Sequence, residues 1–261
     1  MKAFFSDIDG TLLDSNSKLP DANKQAAELL KQRGIPLVVC SARSPKGMKV
    51  VLDQLDYPCV YSAFGGALTL DGDNVLDSVT MSRQDAKEVY DFVKSHWDAQ
   101  CFVYDKDNWY VHCVPPAVNR EAEIVAIDPV VTPLDKVVPD VDVYKFLYYQ
   151  EDGRDFNEMQ RVLSELFPRL NFTLSSSFYM EVTTKGVDKA RCIEVACRHY
   201  GIECKDVVAF GDNYNDIPMS TVARFVVVAN APDEVKKHAA CVCDSNNNGG
   251  VGKYILQLLE K

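Results

Sequence analysis

The sequence predicts an α/β protein: a Rossmann-like parallel-sheet core with helices on both faces, interrupted by an inserted α+β module. Three observations predict it. The first and last thirds of the chain alternate short continuous apolar runs with amphipathic helical stretches, the pattern of strands buried on both faces and joined by crossovers. Between them, residues 81–185 change to paired strands, scattered prolines and separate helices. Finally, two acidic, glycine-bearing segments follow directly on apolar runs, where an α/β sheet holds its ligands.

Residues 3–6 (Ala-Phe-Phe-Ser) form the opening strand, which runs straight into Asp7-Ile8-Asp9-Gly10-Thr11. Residues 20–34 read as a helix, with Ala22, Ala26, Leu29 and Leu30 on one face and Gly34 as its stop. The apolar run at 36–40 is a doubly buried strand, and another is expected near Cys59-Val60-Tyr61. Asp71-Gly72-Asp73-Asn74 marks a hairpin turn between residues 67–70 and 75–76. The inserted module begins with a capping box at Ser82-Arg83-Gln84-Asp85 and a helical stripe of Ala86, Val89, Tyr90, Val93 and Trp97. Strands are expected at 101–104, 110–114, 144–150, 172–175 and 178–183, with a helix at 155–167. The prolines at 115, 116, 129, 133 and 139 predict loop with one short helix. Alternation then resumes. Residues 187–200 form a helix stopped by Gly201, residues 207–210 and 225–228 form buried strands, and Pro232-Asp233-Glu234 opens a further helix. The domain division is therefore 1–80 with 186–261 as the core, and 81–185 as the insert.

A chain of 261 residues can bury a substantial core. Its net charge of −10, without any lysine- or arginine-rich block, argues against nucleic acid as a partner. No apolar run approaches the roughly 20 residues of a membrane span, and Asp7 and Asp9 interrupt any leader-like apolar segment. Nine cysteines, an odd number, read as reduced thiols of a cytoplasmic protein. Cys40, Cys59, Cys192 and Cys197 fall in apolar stretches. Cys241 and Cys243 share one side of a strand and read as packing residues, because no CxxC or HxxxH spacing accompanies them. Oligomeric state leaves no mark on the sequence.

Four segments carry chemistry. In extended chain Asp7 and Asp9 point the same way, and two carboxylates that close raise each other's pKa unless a cation lies between them. An Asp-Gly surface turn is the plain alternative, but the apolar run that feeds it argues otherwise. An EF-hand loop fails, since Leu12 and Lys18 stand where glycine and glutamate are needed. Ser41-Ala42-Arg43 follows the second buried strand and offers a hydroxyl and backbone N–H groups to an anionic oxygen; taken alone it reads equally well as a strand-to-helix turn. Lys189 falls in the first turn of a helix, where a cation opposes the macrodipole unless an anion lies before it. On its own a solvated lysine is the simpler reading, as it is for Lys185. Gly211-Asp212-Asn213-Tyr214-Asn215-Asp216 sets acidic and amide oxygens in a loop suited to a hard divalent cation. Its alternative is an Asx-turn, with Asp216 capping the next helix or stiffening the loop.

Together, in this order and spacing, the four segments resemble those of the haloacid dehalogenase superfamily: DxD, a Ser/Thr after the second strand, a Lys, and an acidic GDxxND loop. The insert between serine and lysine resembles a large α+β cap. Asn230-Ala231-Pro232-Asp233-Glu234-Val235-Lys236, with Gly249-Gly250-Val251 downstream, is similar to the Cof-type members. Three positions depart from that pattern: Ala42 and Ala229 replace glycines, and Gly65 replaces an asparagine.

The resemblance implies a magnesium-dependent phosphatase of small phosphorylated metabolites, sugar phosphates foremost. It implies Asp7 as the nucleophile that forms an aspartyl-phosphate, and Asp9 as the acid and then the base. Magnesium would rest on the Asp7 carboxylate, the Asp9 carbonyl and Asp212, with Asn213 close by. The phosphate would lie on the N–H groups of Ile8 and Ala42, the Ser41 hydroxyl, Lys189 and Asn215, with Asp216 and Arg43 in support and the cap closing over the leaving group. A phosphotransferase or mutase on sugar phosphates shares this chemistry, and a non-catalytic sensor of phosphorylated ligands is the reading from another class. Arg43, Arg120, Tyr179 and Trp109 are candidate substrate contacts.

Overall fold

The opening apolar run makes β1 (Ala3–Asp7), every residue of it buried, and α1 follows (Asp21–Arg33), stopped by Gly34 in the left-handed conformation. Next come β2 (Leu37–Cys40), α2 (Pro45–Leu55), β3 (Val60–Ala63) and the hairpin of β4 (Leu68–Asp71) and β5 (Asn74–Ser78). The middle of the chain supplies α3 (Arg83–His96), β6 (Gln100–Tyr104), β7 (Trp109–Val111), β8 (Val130–Val131), α4 (Leu134–Val137), β9 (Lys145–Tyr149), α5 (Phe156–Leu166), β10 (Leu170–Leu174) and β11 (Tyr179–Thr184). The last third supplies α6 (Lys189–Tyr200), β12 (Val207–Gly211), β13 (Arg224–Val228), α7 (Asp233–Lys236), β14 (Cys241–Cys243) and α8 (Gly250–Leu259). This is a computed structural model, and it describes residues 1–57, 59–114, 118, 119, 122, 127–151, 155–174 and 177–260. Pro115, Pro116, Arg120 and Ser175, which figure in the sequence expectations, lie outside the described residues.

The chain divides into two units, one of Met1–Arg43, Met48–Ser78 and Asp188–Lys261, the other of Ser44–Gly47 and Val79–Val187. In the first, eight strands form a sheet of order β14-β13-β12-β1-β2-β3-β4-β5. All pairs from β14 to β3 are parallel, and β4 and β5 join antiparallel at the edge. Asp7 pairs in register with Cys40, and Ser6 with Phe210, so the carboxyl ends of β1, β2 and β12 finish side by side. That alignment decides where the chemistry gathers. Both faces are covered, as a parallel sheet requires. Cys192, Ile193 and Ala196 of α6 pack on Phe5, Val38 and Ala209. On the opposite face Phe4 stacks on Phe210, which meets the edge of Tyr254 from α8. Each fully buried side chain of this size contributes roughly 1.5–3 kcal/mol.

Two helices of this unit lie outside the sequence expectations. In α2 the apolar signal was present, with Met48, Val51 and Leu55 buried at helical spacing. α8 begins in Gly249-Gly250, which reads locally as a turn; its place is set by close packing on α1, where a Cβ on Gly252 would fall 2.2 Å from the Ala22 carbonyl oxygen. α7, by contrast, is a single turn.

The inserted unit holds a six-stranded sheet of order β10-β11-β9-β6-β7-β8, antiparallel except for the β7–β8 pair. The β7 strand stops at Val111, short of the expected 114. Ser82 caps α3 by accepting the Asp85 N–H at 3.0 Å. The apolar face of α3 (Val89, Val93) packs with Phe146, Met159, Leu163 and Met180. Among the described residues, no helix is long and apolar enough to cross a membrane.

Candidate active site

At the end of β1 the backbone leaves the extended form: Ile8–Leu12 turns tightly, with Gly10 at φ +81. A side chain at position 10 would be strained, and its Cβ would lie 2.5 Å from Asp212 Oδ2. The glycine thus lets the β12 loop's carboxylate approach the β1 turn. The same turn separates Asp7 from Asp9. Asp7 is 5% exposed. Asp9 is exposed and meets Arg43 instead, Nε donating to Oδ2 at 2.8 Å and Nη2 to Oδ1 at 2.6 Å. The expectation that the two carboxylates point the same way therefore fails for the side chains, because strand alternation ends where the chain ceases to be extended.

Lys189, at the first position of α6, is buried to 2% exposure, which overturns the solvated alternative. Its Nζ donates to Asp7 Oδ1 and to Asp216 Oδ1, both at 2.5 Å. Two carboxylates thus answer both the lysine's charge and its unfavourable place at the helix dipole. Lys185 is exposed. Burial alone would lower the Lys189 pKa, but attraction to Asp216 and Asp7 raises it well above its ordinary value. Burial, reinforced by the charges of Asp216 and Asp212, pushes Asp7 well above the carboxylate range against the pull of Lys189. Asp212 is raised as well, chiefly by burial.

The β12 loop is held by Asp216, fully buried, whose Oδ2 accepts the N–H groups of Asp212 at 2.8 Å and Asn213 at 2.9 Å. Asp216 stiffens the loop, as expected, but the cap of the following turn is Asn213, with Asp216 completing the reciprocal capping box. The Asn213 oxygen accepts from Tyr214 N, and Asn215 is exposed. Ser41 is buried, its hydroxyl accepting the Arg43 N–H at 3.2 Å. Its carbonyl accepts from Gly65 N at 2.8 Å, with Gly65 at φ +67. Asparagine and glycine both tolerate that conformation, so the Gly65 departure preserves the backbone and removes only a side chain.

Oxygen atoms of Asp7, Asp212 and Asp216 lie within 4.8 Å of one another. Asp216 spends both oxygens on Lys189 and the loop N–H groups; Asp7 Oδ2 and Asp212 Oδ2 accept no hydrogen bond from the described residues. Open carboxylate oxygens on two adjoining strand ends suit a hard divalent cation such as Mg2+, which would also relieve the repulsion that raises Asp7 and Asp212.

Two residues stand within segments that the sequence singled out but were given no role there. Thr11, fully buried, donates from Oγ1 to Asp212 Oδ1 at 2.8 Å, and its place directly after Asp9-Gly10 was the available signal. Asn230 Nδ2 donates to the Gly10 carbonyl at 2.8 Å and fixes the turn from 220 residues away. Of the candidate substrate contacts, Trp109 is a core residue of the insert, stacked on Tyr104 with Nε1 donating to Ile127 O, and Tyr179 packs on Tyr149. Every residue of the acidic constellation belongs to the first unit.

Residues 4–255 match a family model described as haloacid dehalogenase-like hydrolase. A protein of Haemophilus influenzae is 30% identical over 96% of this chain and 95% of its own length. A Bacillus subtilis relative, 5-amino-6-(5-phospho-D-ribitylamino)uracil phosphatase YwtE, is 27% identical over 99% of this chain and 98% of its own. Among solved structures, TM0651 from Thermotoga maritima superposes with a TM-score of 0.88 at 25% identity, covering 98% of this chain and 97% of that one.

Proposed function

The chain belongs to the haloacid dehalogenase-like hydrolases and is a phosphatase, and from that premise we propose that it hydrolyses small phosphorylated metabolites in a magnesium-dependent reaction through an aspartyl-phosphate on Asp7. One observation carries the reading: buried Asp7 is clamped by Lys189 through one oxygen, its other oxygen accepts no hydrogen bond from the described residues, and a carboxylate oxygen of Asp212 lies within 4.8 Å of one of its own. A nucleophile needs that arrangement, one atom fixed and one free.

In this reading Asp7 Oδ2 attacks phosphorus, the bond to the leaving oxygen breaks, and Asp9 supplies the proton. Water then attacks the phosphorus and gives its proton to Asp9, releasing phosphate and restoring Asp7. Asp9 must part from Arg43 to do so, since the guanidinium occupies both its oxygens. Asp7, the Asp9 carbonyl and Asp212 would hold Mg2+, with Asn213 beside them; the ion would neutralise the charge between carboxylate and phosphate. The N–H groups of Ile8 and Ala42, the Ser41 hydroxyl, Lys189 and Asn215 serve the transferring phosphoryl oxygens, each such donor worth about 3 kcal/mol at the transition state. Sugar and sugar-alcohol phosphates head the substrate class, supported by the phosphorylated ribityl chain in the name of the Bacillus subtilis relative.

The test is phosphate release from sugar phosphates, nucleotides and flavin mononucleotide, with and without magnesium, beside Asp7→Asn. The expected result is magnesium-dependent release, strongest for a sugar or polyol phosphate, that falls at least about a thousandfold in a folded Asp7→Asn protein. Full activity in the mutant, or an isomerised sugar phosphate in place of inorganic phosphate, overturns the reading.

A further inference from the structure

Arg43 stands beside the reacting groups, yet the reaction steps ask of it only that it let Asp9 go. Its guanidinium grips that carboxylate as a fork, Nε on one oxygen at 2.8 Å and Nη2 on the other at 2.6 Å. The two partners differ in burial: the Arg43 side chain is 13% exposed and that of Asp9 51%. An ion pair whose carboxylate is half in water is weak. A guanidinium this far out of water, however, requires an anion opposite it. Lys189 is placed differently, because Asp7 and Asp216, which hold its Nζ, are as buried as the lysine. Of these two cations, Arg43 is the one whose partner can be exchanged.

The backbone around the arginine is fastened on both sides. The Ser41 carbonyl accepts the Gly65 N–H at 2.8 Å and the Arg43 carbonyl accepts the Phe64 N–H at 2.9 Å, while the Arg43 N–H donates to the Ser41 hydroxyl. To supply these bonds Phe64 takes a φ of +52 with its ring 1% exposed. A bulky residue is seldom found in that conformation, and such strain gathers at functional sites. With residues 41–43 held in this way, the freedom left to Arg43 is that of its side chain. The planar fork that fits a carboxylate fits two oxygens of a phosphoryl group equally well, and a phosphoryl dianion brings more charge to it.

We propose that the Arg43 guanidinium exchanges Asp9 for the phosphoryl oxygens of the substrate, so that the arriving phosphate gains a bidentate cation and in the same movement sets the Asp9 carboxyl free for its acid and base work. The inference rests on the phosphatase reading and deepens it. Arg43 becomes a substrate-binding residue, and the acid is released by the very group on which it acts.

The test is the affinity of the full-length protein for inorganic phosphate in saturating Mg2+, read from the rise of Tm with phosphate concentration, in a double-mutant cycle of Arg43 and Asp9. Arg43→Ala should weaken phosphate about ten- to a hundredfold, the loss of a charged, bidentate contact. Arg43→Lys keeps the charge without the fork and should lose an intermediate factor; it stands in for the alanine variant should that one lack a cooperative transition. Asp9→Asn removes the competing carboxylate and should tighten phosphate about two- to fivefold. Exchange requires that this gain disappear when Arg43 is already alanine. An equal gain in both backgrounds assigns it to the removed charge alone and overturns the inference, as does unchanged affinity in Arg43→Ala. In 15N-arginine-labelled protein the Arg43 Nε signal, assigned by its absence in Arg43→Lys, should shift saturably with phosphate; a signal that stays in place means that Asp9 keeps its partner, and the exchange fails. Wild-type protein that releases phosphate from no substrate would overturn the phosphatase reading itself, whereas normal turnover with either negative result above overturns the exchange alone.

Discussion

The two sheets bury charge to different degrees. At the carboxyl ends of the parallel sheet, Lys189, Asp7 and Asp216 are 2%, 5% and 0% exposed and lie in direct contact. In the antiparallel sheet's unit one lysine is buried, Lys145 beside Glu181 at 3.7 Å, while other pairs are wet: Arg169 on Asp85 is 70% exposed at its side chain, and Lys94 on Asp135 is 53%. Its interior is filled by apolar and aromatic side chains, Phe146, Tyr148, Met159 and Met180 among them. A cluster of buried charge is costly to desolvate and is weak evidence for stability alone, so its concentration at one strand end marks chemistry.

The largest effect that can break this contrast is Lys189→Met. It would leave two carboxylates buried without their cation, so stability at neutral pH should fall by about 3–5 kcal/mol in urea unfolding, with turnover lost as well. A loss below about 1 kcal/mol would mean that the cluster is no more constrained than a surface pair. Magnesium should act on the same groups. Because burial and the charges of neighbouring carboxylates raise Asp7 and Asp212 in the folded state, their protonated forms favour folding at low pH. That contribution is lost as pH rises through the raised values, and a bound cation offsets the loss by stabilising the charged forms. The rise in Tm on adding Mg2+ should therefore be several degrees at pH 7.5 and smaller at pH 5; a rise independent of pH would place the ion elsewhere.

The smallest effect belongs to the insert. The hydrogen bonds from Arg169 hold the Asp85 carboxyl below its ordinary value. Its contribution is present above the usual carboxylate pKa of about 4 and disappears as pH falls through the depressed value. Asp85→Asn should cost at most about 1 kcal/mol at pH 7, since the arginine is solvent-exposed, and the cost should vanish in acid. A difference that persists in acid would assign the effect to helix capping rather than charge.

Much of this was legible in the chain because the signals are local. A continuous apolar run is a doubly buried strand whatever follows it, and Gly34 and Gly201 close their helices in the left-handed conformation as their positions predict. The DxD and GDxxND segments likewise announce acidic loops at strand ends. The helix at Gly250–Leu259 was not legible, since contact with α1 across more than 200 residues sets it.

The sequence by itself determined the alternation of strands and helices and the residue types brought to the strand ends, both functions of near neighbours. Tertiary structure alone decided how those residues meet. Local rules made Lys189 a surface lysine, yet strand register sets it against Asp7, 182 residues away, and Asp216, 27 away. Strand alternation put Asp9 beside Asp7, yet the turn at Gly10 sends it to Arg43. The physical reason is the same in both cases: the charge state and role of an ionisable group follow from what surrounds it in space, and the chain assembles those surroundings only when it folds.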